Sequence, residues 1–103
     1  MAKSKLNDDL IYEILSVVEE IPVGCVASYG QIAHLIGKEK NSRLVGKALS
    51  LAQYYGDFPC HRVVNHAGRT APGWYEQEAL LKREGVTFKK AGFVDMKKHQ
   101  WQW

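Results

Sequence analysis

The sequence predicts one small domain of mixed α/β class, a winged helix-turn-helix in which a helical core carries a short β-hairpin wing. Three observations favour this fold: an N-terminal segment with helical apolar spacing, two short capped segments separated by a glycine-containing turn, and two apolar runs that can pair as a hairpin. Helix-turn-helix proteins typically show such a helix pair. A chain of 103 residues fits a single domain over residues 1–103.

The first predicted helix begins after Asn7, whose side chain can cap it. Pro22 ends the helix, because proline lacks the amide donor that a helix interior needs. Residues 23–27 are expected to form a short extended link. The apolar stripe of the helix consists of Leu10, Ile11, Ile14, Leu15, Val18 and Ile21.

The two helices of the predicted helix-turn-helix follow. Ser28 with Gln31 forms a capping-box pattern, in which each side chain satisfies a backbone amide of the other residue, and this opens a short helix closed by a glycine. Asn41 or Ser42 can cap the second helix, which is predicted to run to about Gln53. In such a pair the second helix is the recognition element.

The rest of the chain is predicted to hold a loop, a helix and the wing. Residues 54–64 are expected to form an irregular loop. A helix over residues 76–84 is indicated by its composition and by the glycine that follows it. The wing strands are predicted at residues 86–88 and 93–96, joined by a turn that contains glycine.

The composition is that of an ordinary globular protein, with 46% hydrophobic and 24% charged residues. No apolar run approaches the ~20 residues that span a bilayer, and the N-terminus lacks the apolar core of a signal peptide, so a cytoplasmic location without membrane contact is expected. Cys25 and Cys60 are then expected to be free thiols. No cysteine or histidine cluster has the spacing of a zinc site, so neither a metal nor a cofactor is expected.

The net charge of +3 is unevenly distributed along the chain. Residues 1–20 hold two lysines against five carboxylates, so the remainder is more basic than the whole. A localised basic face is typical of proteins that bind the phosphate backbone of nucleic acids, whereas an ordinary solvated surface is the plainer interpretation. The clustered basic residues are Lys38, Lys40, Arg43 and Lys47.

The candidate reactive group is Cys60, which lies between a proline and a histidine-arginine pair. The thiolate is the nucleophilic form of cysteine, and a free thiol has a pKa near ~8.5. Because His61 can accept the proton and Arg62 adds positive charge, we expect a lowered pKa for Cys60. A buried structural cysteine beside a surface turn is the alternative interpretation.

Four motifs follow one another along the chain: Ile21-Pro22-Val23-Gly24, Ala27-Ser28-Tyr29-Gly30-Gln31-Ile32-Ala33, Ser42-Arg43-Leu44-Val45-Gly46-Lys47-Ala48-Leu49 and Pro59-Cys60-His61-Arg62-Val63-Val64. In this order they resemble the C-terminal DNA-binding domain of O6-alkylguanine-DNA alkyltransferases, and the resemblance extends from about Leu10 to Gly85. The short length, residues 59–69 and residues 92–103 are more similar to the alkyltransferase-like proteins. Most members of that branch carry tryptophan where this chain has Cys60.

The resemblance implies a DNA repair protein that recognises O6-alkylguanine in double-stranded DNA, with its recognition helix in the minor groove and the damaged nucleotide flipped out of the stack. It also implies stoichiometric alkyl transfer to Cys60, as in a methylated-DNA-protein-cysteine S-methyltransferase that acts once. The alternative is a non-enzymatic lesion sensor that directs the damage to nucleotide excision repair proteins. A winged-helix transcription regulator is a third interpretation, which leaves the Cys60 motif without a use. A monomer is expected.

The resemblance further implies individual roles. Cys60, His61 and Glu84 match the nucleophile, the base that takes its proton through a water, and the carboxylate that orients the base. Tyr29 matches the tyrosine that helps to rotate the nucleotide and donates a proton to the base, although core packing is the plainer role for a tyrosine. Arg43 matches the arginine that fills the space left by the extruded base, with a phosphate contact as the alternative.

Two larger sets of residues are assigned from the same motifs. Their small members would let the recognition helix approach DNA closely, or else serve tight helix packing, and the carbonyls of Cys60 and Val63 would receive the guanine amino group. The expected DNA contacts are Ser28, Tyr29, Gln31, Ser42, Arg43, Gly46, Lys47 and Ala48. The expected lesion pocket consists of Tyr29, Pro59, Cys60, Arg62, Val63, Ala71 and Pro72.

The chain departs from the alkyltransferase pattern at two places. The asparagine that supports the active-site turn is missing, and Gln53 and Asp57 are the candidates to replace it. Thr70-Ala71-Pro72-Gly73 stands where the pocket loop of the family carries Tyr-Ser-Gly-Gly. This difference implies a wider pocket with one polar group fewer near the O6 atom.

Overall fold

The computed structural model describes residues 6–102. Over this range the chain forms a helical core and a small hairpin, which confirms the predicted α/β winged helix-turn-helix. None of the helices in residues 6–102 is long and apolar enough to cross a membrane. In chain order the elements are α1 (Asp8–Glu20), β1 (Ala27–Ser28), α2 (Tyr29–Leu35), α3 (Ser42–Ser50), β2 (Val63–Val64), α4 (Glu76–Arg83), β3 (Phe88–Lys90), β4 (Phe93–Val94) and α5 (Met96–His99).

The predicted caps of the first two helices are confirmed. The Asn7 side chain accepts a hydrogen bond of 2.8 Å from the amide of Leu10 at the start of α1. At the start of α2 the capping box is complete, because the Gln31 amide donates to Ser28 Oγ at 3.0 Å and the Ser28 amide donates to Gln31 Oε1 at 3.3 Å. Asn41 precedes α3 but makes no capping hydrogen bond with its side chain.

Three predicted boundaries are corrected. Helix α3 ends at Ser50 rather than near Gln53, because the following residues tighten into a 3₁₀ turn over Ala52–Tyr54. The first wing strand spans Phe88–Lys90 rather than residues 86–88. The second wing strand ends at Val94, and residue 96 opens α5 instead of extending the strand. The expected link and loop on either side of the helix pair each contribute one short strand, β1 and β2.

Strands β1 and β2 pair in parallel, with Ala27 opposite Val63 and Ser28 opposite Val64. Successive residues of a strand point to opposite faces, so this pair separates two apolar cores. Val63 belongs to the larger core between α1, α2 and α3, whereas Val64 belongs to a smaller core beneath the wing. The segment just before β2, which contains Cys60, is therefore held between the two halves of the domain.

The C-terminal segment is fixed against the helix pair. The Val26 amide donates to the carbonyl of His99 at 2.9 Å, and the Trp101 amide donates to the carbonyl of Val26 at 2.7 Å. Gln31 Nε2 then donates to the carbonyl of Trp101 at 2.7 Å. His99 contributes a second link through Nδ1, which donates to the carbonyl of Gly24 at 3.0 Å.

Candidate functional site

Cys60 opens a 3₁₀ turn, Cys60–Arg62, that leads directly into β2. We call these three residues the Cys60 turn. The Arg62 amide donates to the carbonyl of Pro59 at 3.0 Å, and the amide of Val63 donates to the carbonyl of Cys60. Because β2 pairs with β1, and β1 runs directly into α2, the turn is fixed relative to Tyr29, the first residue of α2.

Glu84 holds the side chains of both Arg62 and His61 in the Cys60 turn. Its carboxylate accepts from Arg62 Nε at 2.9 Å, from Arg62 Nη2 at 2.8 Å and from His61 Nε2 at 2.8 Å. Arg62 Nη1 also donates to the carbonyl of Ile21 at 2.8 Å. The hydrogen bonds from Arg62, and then from His61, lower the pKa of Glu84 below its ordinary value. Since Glu84 contacts Nε2, His61 would accept a proton from Cys60 through Nδ1.

A cavity of about 240 Å³ lies between the Cys60 turn and helix α3. It brings together three members of the predicted lesion pocket, Tyr29, Cys60 and Ala71. We call it the Cys60 cavity. Its lining consists of Tyr29, Gly46, Leu49, Ser50, Cys60, Ala71 and Trp74.

A second cavity, of about 570 Å³, lies on the other side of the Cys60 turn. Cys60 and Trp74 line both cavities, so they form the partition between them. Pro59 and Arg62, two further members of the predicted pocket, line only the second cavity. The predicted pocket is therefore divided by the Cys60 turn.

Burial raises the pKa of the Cys60 thiol to about 11. This corrects the expected lowering. Arg62 directs its donors at Glu84 and Ile21, and His61 directs Nε2 at Glu84, so the loss of water around the sulfur determines the pKa of the thiol. Burial also raises the pKa of Tyr29, and the proximity of Cys60 adds to this effect. At neutral pH the site consequently holds a neutral thiol beside a protonated phenol.

Helix α3 presents a narrow face made of Arg43, Gly46, Lys47 and Ser50, which recur at helical spacing. Arg43, Lys47 and Ser50 are exposed, as is Ser42 at the start of the helix. A Cβ atom at Gly46 would lie 4.0 Å from the Tyr29 ring, so the missing side chain keeps this end of the cavity open. The α3 face thus carries positive charge next to the cavity.

Three of the predicted DNA contacts have buried side chains. Ser28 and Gln31 are each 7% exposed, and Ala48 is fully buried in the core. The side chains of Ser28 and Gln31 satisfy the capping box, and Gln31 also bonds the C-terminal segment. Ala48 serves tight packing of α3. In this structure the three side chains shape the helix pair and are not exposed on its surface.

Two members of the predicted pocket do not line the Cys60 cavity. Pro72 is exposed and does not line the Cys60 cavity. Val63 is 1% exposed, and its carbonyl accepts a hydrogen bond of 3.0 Å from Gln77. Val63 therefore lies in the core, behind the turn.

Trp74 and Gln77 are site residues that sequence reasoning missed. Trp74 lines both cavities, and Gln77 is fully buried on α4 with its side chain bonded to the Cys60 turn. Gln53 and Asp57, the candidates to support this turn, are exposed and form none of the side-chain hydrogen bonds found within residues 6–102. One signal was available: Gln77 lies four residues before Leu81, so a polar residue occupies an apolar position of the helix.

Within residues 6–102, no group of three or more histidine, cysteine or carboxylate side chains is placed to hold a metal ion. Cys25 and Cys60 are both free thiols. The Cys60 cavity itself presents one thiol and one phenol, from Cys60 and Tyr29, and the His61–Glu84 pair lies next to Cys60 in the chain's fold.

Comparisons with known proteins agree with this geometry. Residues 9–86 match the profile of the 6-O-methylguanine DNA methyltransferase DNA-binding domain. The DNA base-flipping protein of Escherichia coli strain K12 is 32% identical over 104 residues, which cover 98% of this chain and 81% of that protein. The methylated-DNA–protein-cysteine methyltransferase of Methanosarcina acetivorans is 40% identical over 75 residues, 70% of this chain and 48% of that protein.

Among solved structures, S. pombe Atl1 in complex with damaged DNA containing O6-carboxymethylguanine superposes with a TM-score of 0.83 and 26% identity. The match covers 96% of this chain and 100% of that chain. The relatives thus include proteins named for methyl transfer and proteins named for base flipping.

Proposed function

The chain belongs to the family of the 6-O-methylguanine DNA methyltransferase DNA-binding domain, and we propose that it recognises O6-alkylguanine in double-stranded DNA. The observation that carries the proposal is the Cys60 cavity, which opens beside the exposed basic face of α3. A flipped nucleotide needs such a cavity next to the DNA-binding surface.

Helix α3 is the element that contacts DNA, in the minor groove. Lys47 and Ser42 are exposed and suited to phosphate contacts, which fix position without reading sequence. Arg43 lies on the same face and fills the gap left by the extruded nucleotide, where its planar guanidinium can stack and donate hydrogen bonds.

The flipped base enters the Cys60 cavity between aromatic side chains. Tyr29 and Trp74 both line the cavity, and aromatic rings are suited to stacking on a base. Flipping costs a few kcal/mol, and the cost is lowest for a base whose pairing is already damaged. The protein thereby distinguishes O6-alkylguanine from guanine before any chemistry takes place.

Alkyl transfer to Cys60 is a second candidate function, supported by the position of Cys60 in the same cavity and by the His61–Glu84 pair behind it. His61, through a water, takes the thiol proton while the sulfur attacks the alkyl carbon. The C–O6 bond breaks as the S–C bond forms, and its electron pair passes to the guanine. Tyr29 donates a proton to the base and regains one from solvent.

The raised pKa of Cys60 makes transfer slow, because the thiol must lose its proton during the reaction. Lesion binding does not depend on that proton. A protein that binds the lesion but transfers its alkyl group only slowly acts as a lesion sensor. Such a sensor would pass the lesion to nucleotide excision repair proteins.

The test uses duplex DNA carrying one O6-methylguanine with a labelled methyl group. Fluorescence anisotropy measures binding to this duplex and to its guanine counterpart, and the protein is then digested to locate the label. We expect tighter binding to the methylated duplex, for the wild type and for Cys60→Ser alike. Label on Cys60 of the wild type establishes transfer. Equal affinity for the two duplexes would overturn lesion recognition.

A further inference from the structure

Gln77 is a fully buried polar side chain that neither the binding surface nor the chemistry described above requires. It lies on the inner face of α4, where an apolar residue would be expected. Its amide is fully used: Nε2 donates to the carbonyls of His61 and Val63, at 3.0 Å each, and Oε1 accepts from the amide of Ala71 at 2.7 Å.

These three hydrogen bonds join two separate walls of the Cys60 cavity. His61 is the middle residue of the Cys60 turn, whose first residue lines the cavity. Ala71 lines the same cavity from the loop before α4. The side chain of Gln77 therefore sets the separation between the sulfur-bearing wall and the facing loop.

Few side chains can make this connection. One end must donate two hydrogen bonds and the other must accept one, which in proteins is the pattern of a neutral amide. An ionised glutamate has the same length but donates nothing, and its charge would face two carbonyl oxygens. Methionine has a similar length and would leave all three backbone groups without their buried partner.

We propose that Gln77 is a positioning residue that sets the opening of the Cys60 cavity and thereby determines the preference for O6-alkylguanine over guanine. The inference rests on the proposed function. Gln77 acts through the backbone of His61 and Ala71, and its side-chain hydrogen bonds go to His61, Val63 and Ala71 rather than to α3. Its loss changes the discrimination between lesion and guanine, and leaves the affinity for undamaged DNA unchanged.

The first test compares Gln77→Met with the wild type by anisotropy on the methylated and unmethylated duplexes. We expect the ratio of the two affinities to fall about tenfold, in line with the loss of one or more buried hydrogen bonds. Val18→Ala is the matched control, because Val18 is a fully buried residue of α1 that is not part of the cavity lining. It lowers the melting temperature but should retain the wild-type ratio.

Gln77→Glu supplies a second readout that a purely structural residue would not give. Burial and the facing carbonyl oxygens raise the pKa of a carboxyl group, so the introduced glutamate binds its proton at a higher pH than an exposed one does. The protonated form can again donate a hydrogen bond. The affinity ratio of this variant, normalised to the wild type at each pH, should therefore recover as the pH falls from about 8 to about 6. If Gln77→Met fails to fold, this pH profile alone tests the role of Gln77.

The outcomes are separable. A wild type that binds both duplexes equally overturns the proposed function, and this inference with it. A wild type that prefers the lesion, with a folded Gln77→Met that keeps the ratio or a Gln77→Glu ratio that is independent of pH, overturns the role of Gln77 alone. That role is likewise overturned if Val18→Ala loses as much discrimination as Gln77→Met.

Discussion

The reactivity of Cys60 should be low in the folded protein. It can be measured as the rate of alkylation by iodoacetamide at a series of pH values. Burial moves the pKa of this thiol from the ordinary value of 9.0 to about 11, so its thiolate fraction at neutral pH falls about 100-fold. A more basic thiolate is intrinsically more nucleophilic, by about tenfold for a shift of this size. The net expectation is a rate about tenfold below that of free cysteine near pH 7.5.

The assay follows alkylation of Cys60 by peptide mass spectrometry in a Cys25→Ala variant, which removes the other thiol. The logarithm of the rate should rise with unit slope up to about pH 11, whereas a free thiol levels off near pH 9. The same protein in denaturant should react like free cysteine. A folded-state rate equal to or above that of free cysteine, or a plateau near pH 7, would contradict this expectation and indicate a thiolate already formed beside His61.

Three further results are expected. Arg43→Ala should lose the preference for the lesion. Lys47→Ala should weaken binding to damaged and undamaged duplexes equally, and should reduce the slope of log affinity against log salt concentration by about one. Equal behaviour of the two variants in anisotropy would contradict the assignment of Arg43. Tyr29→Phe should slow any methyl transfer more than it weakens binding, and Tyr29→Ala should impair both; unchanged values for both would leave Tyr29 a packing residue. Glu84→Gln should cost about 2 kcal/mol in urea unfolding, because Arg62 loses charge-assisted bonds. Since pairing lowers the pKa of Glu84, the wild type holds this stabilisation above the ordinary value of 4.5 and loses it as the pH falls further.

The parts of the fold with local signals could be predicted from the sequence. The caps at Asn7 and Ser28 involve residues three apart, so the sequence displays both partners together. The parallel pair β1–β2 could not be predicted in this way. Each strand is two residues long, too short for an alternating pattern, and its partner lies on the far side of the helix pair.

At the candidate site, too, only the features with a local signal could be predicted from the sequence. The motif identified Cys60, and Glu84 does lie beside His61 and Arg62. The pKa of the thiol was predicted in the wrong direction, because neighbours in sequence reveal charge but not burial. Gln77 was missed since its partners are backbone groups, which every residue has and no pattern marks.

The pairing of Val26 with the C-terminal segment has a consequence for how the domain opens. Its amide and carbonyl are both bonded to residues near the other end of the chain, His99 and Trp101. The chain between Val26 and residues 99–101 forms a long loop, and closing it costs conformational entropy only once. The hydrogen bonds that this closure permits therefore form together. Release of residues 99–101 would also take away a partner of Gln31, which caps α2. The C-terminal segment and the recognition helices thus form one cooperative unit, and a ligand that steadies α3 would slow amide hydrogen exchange at Val26 and Trp101 as well.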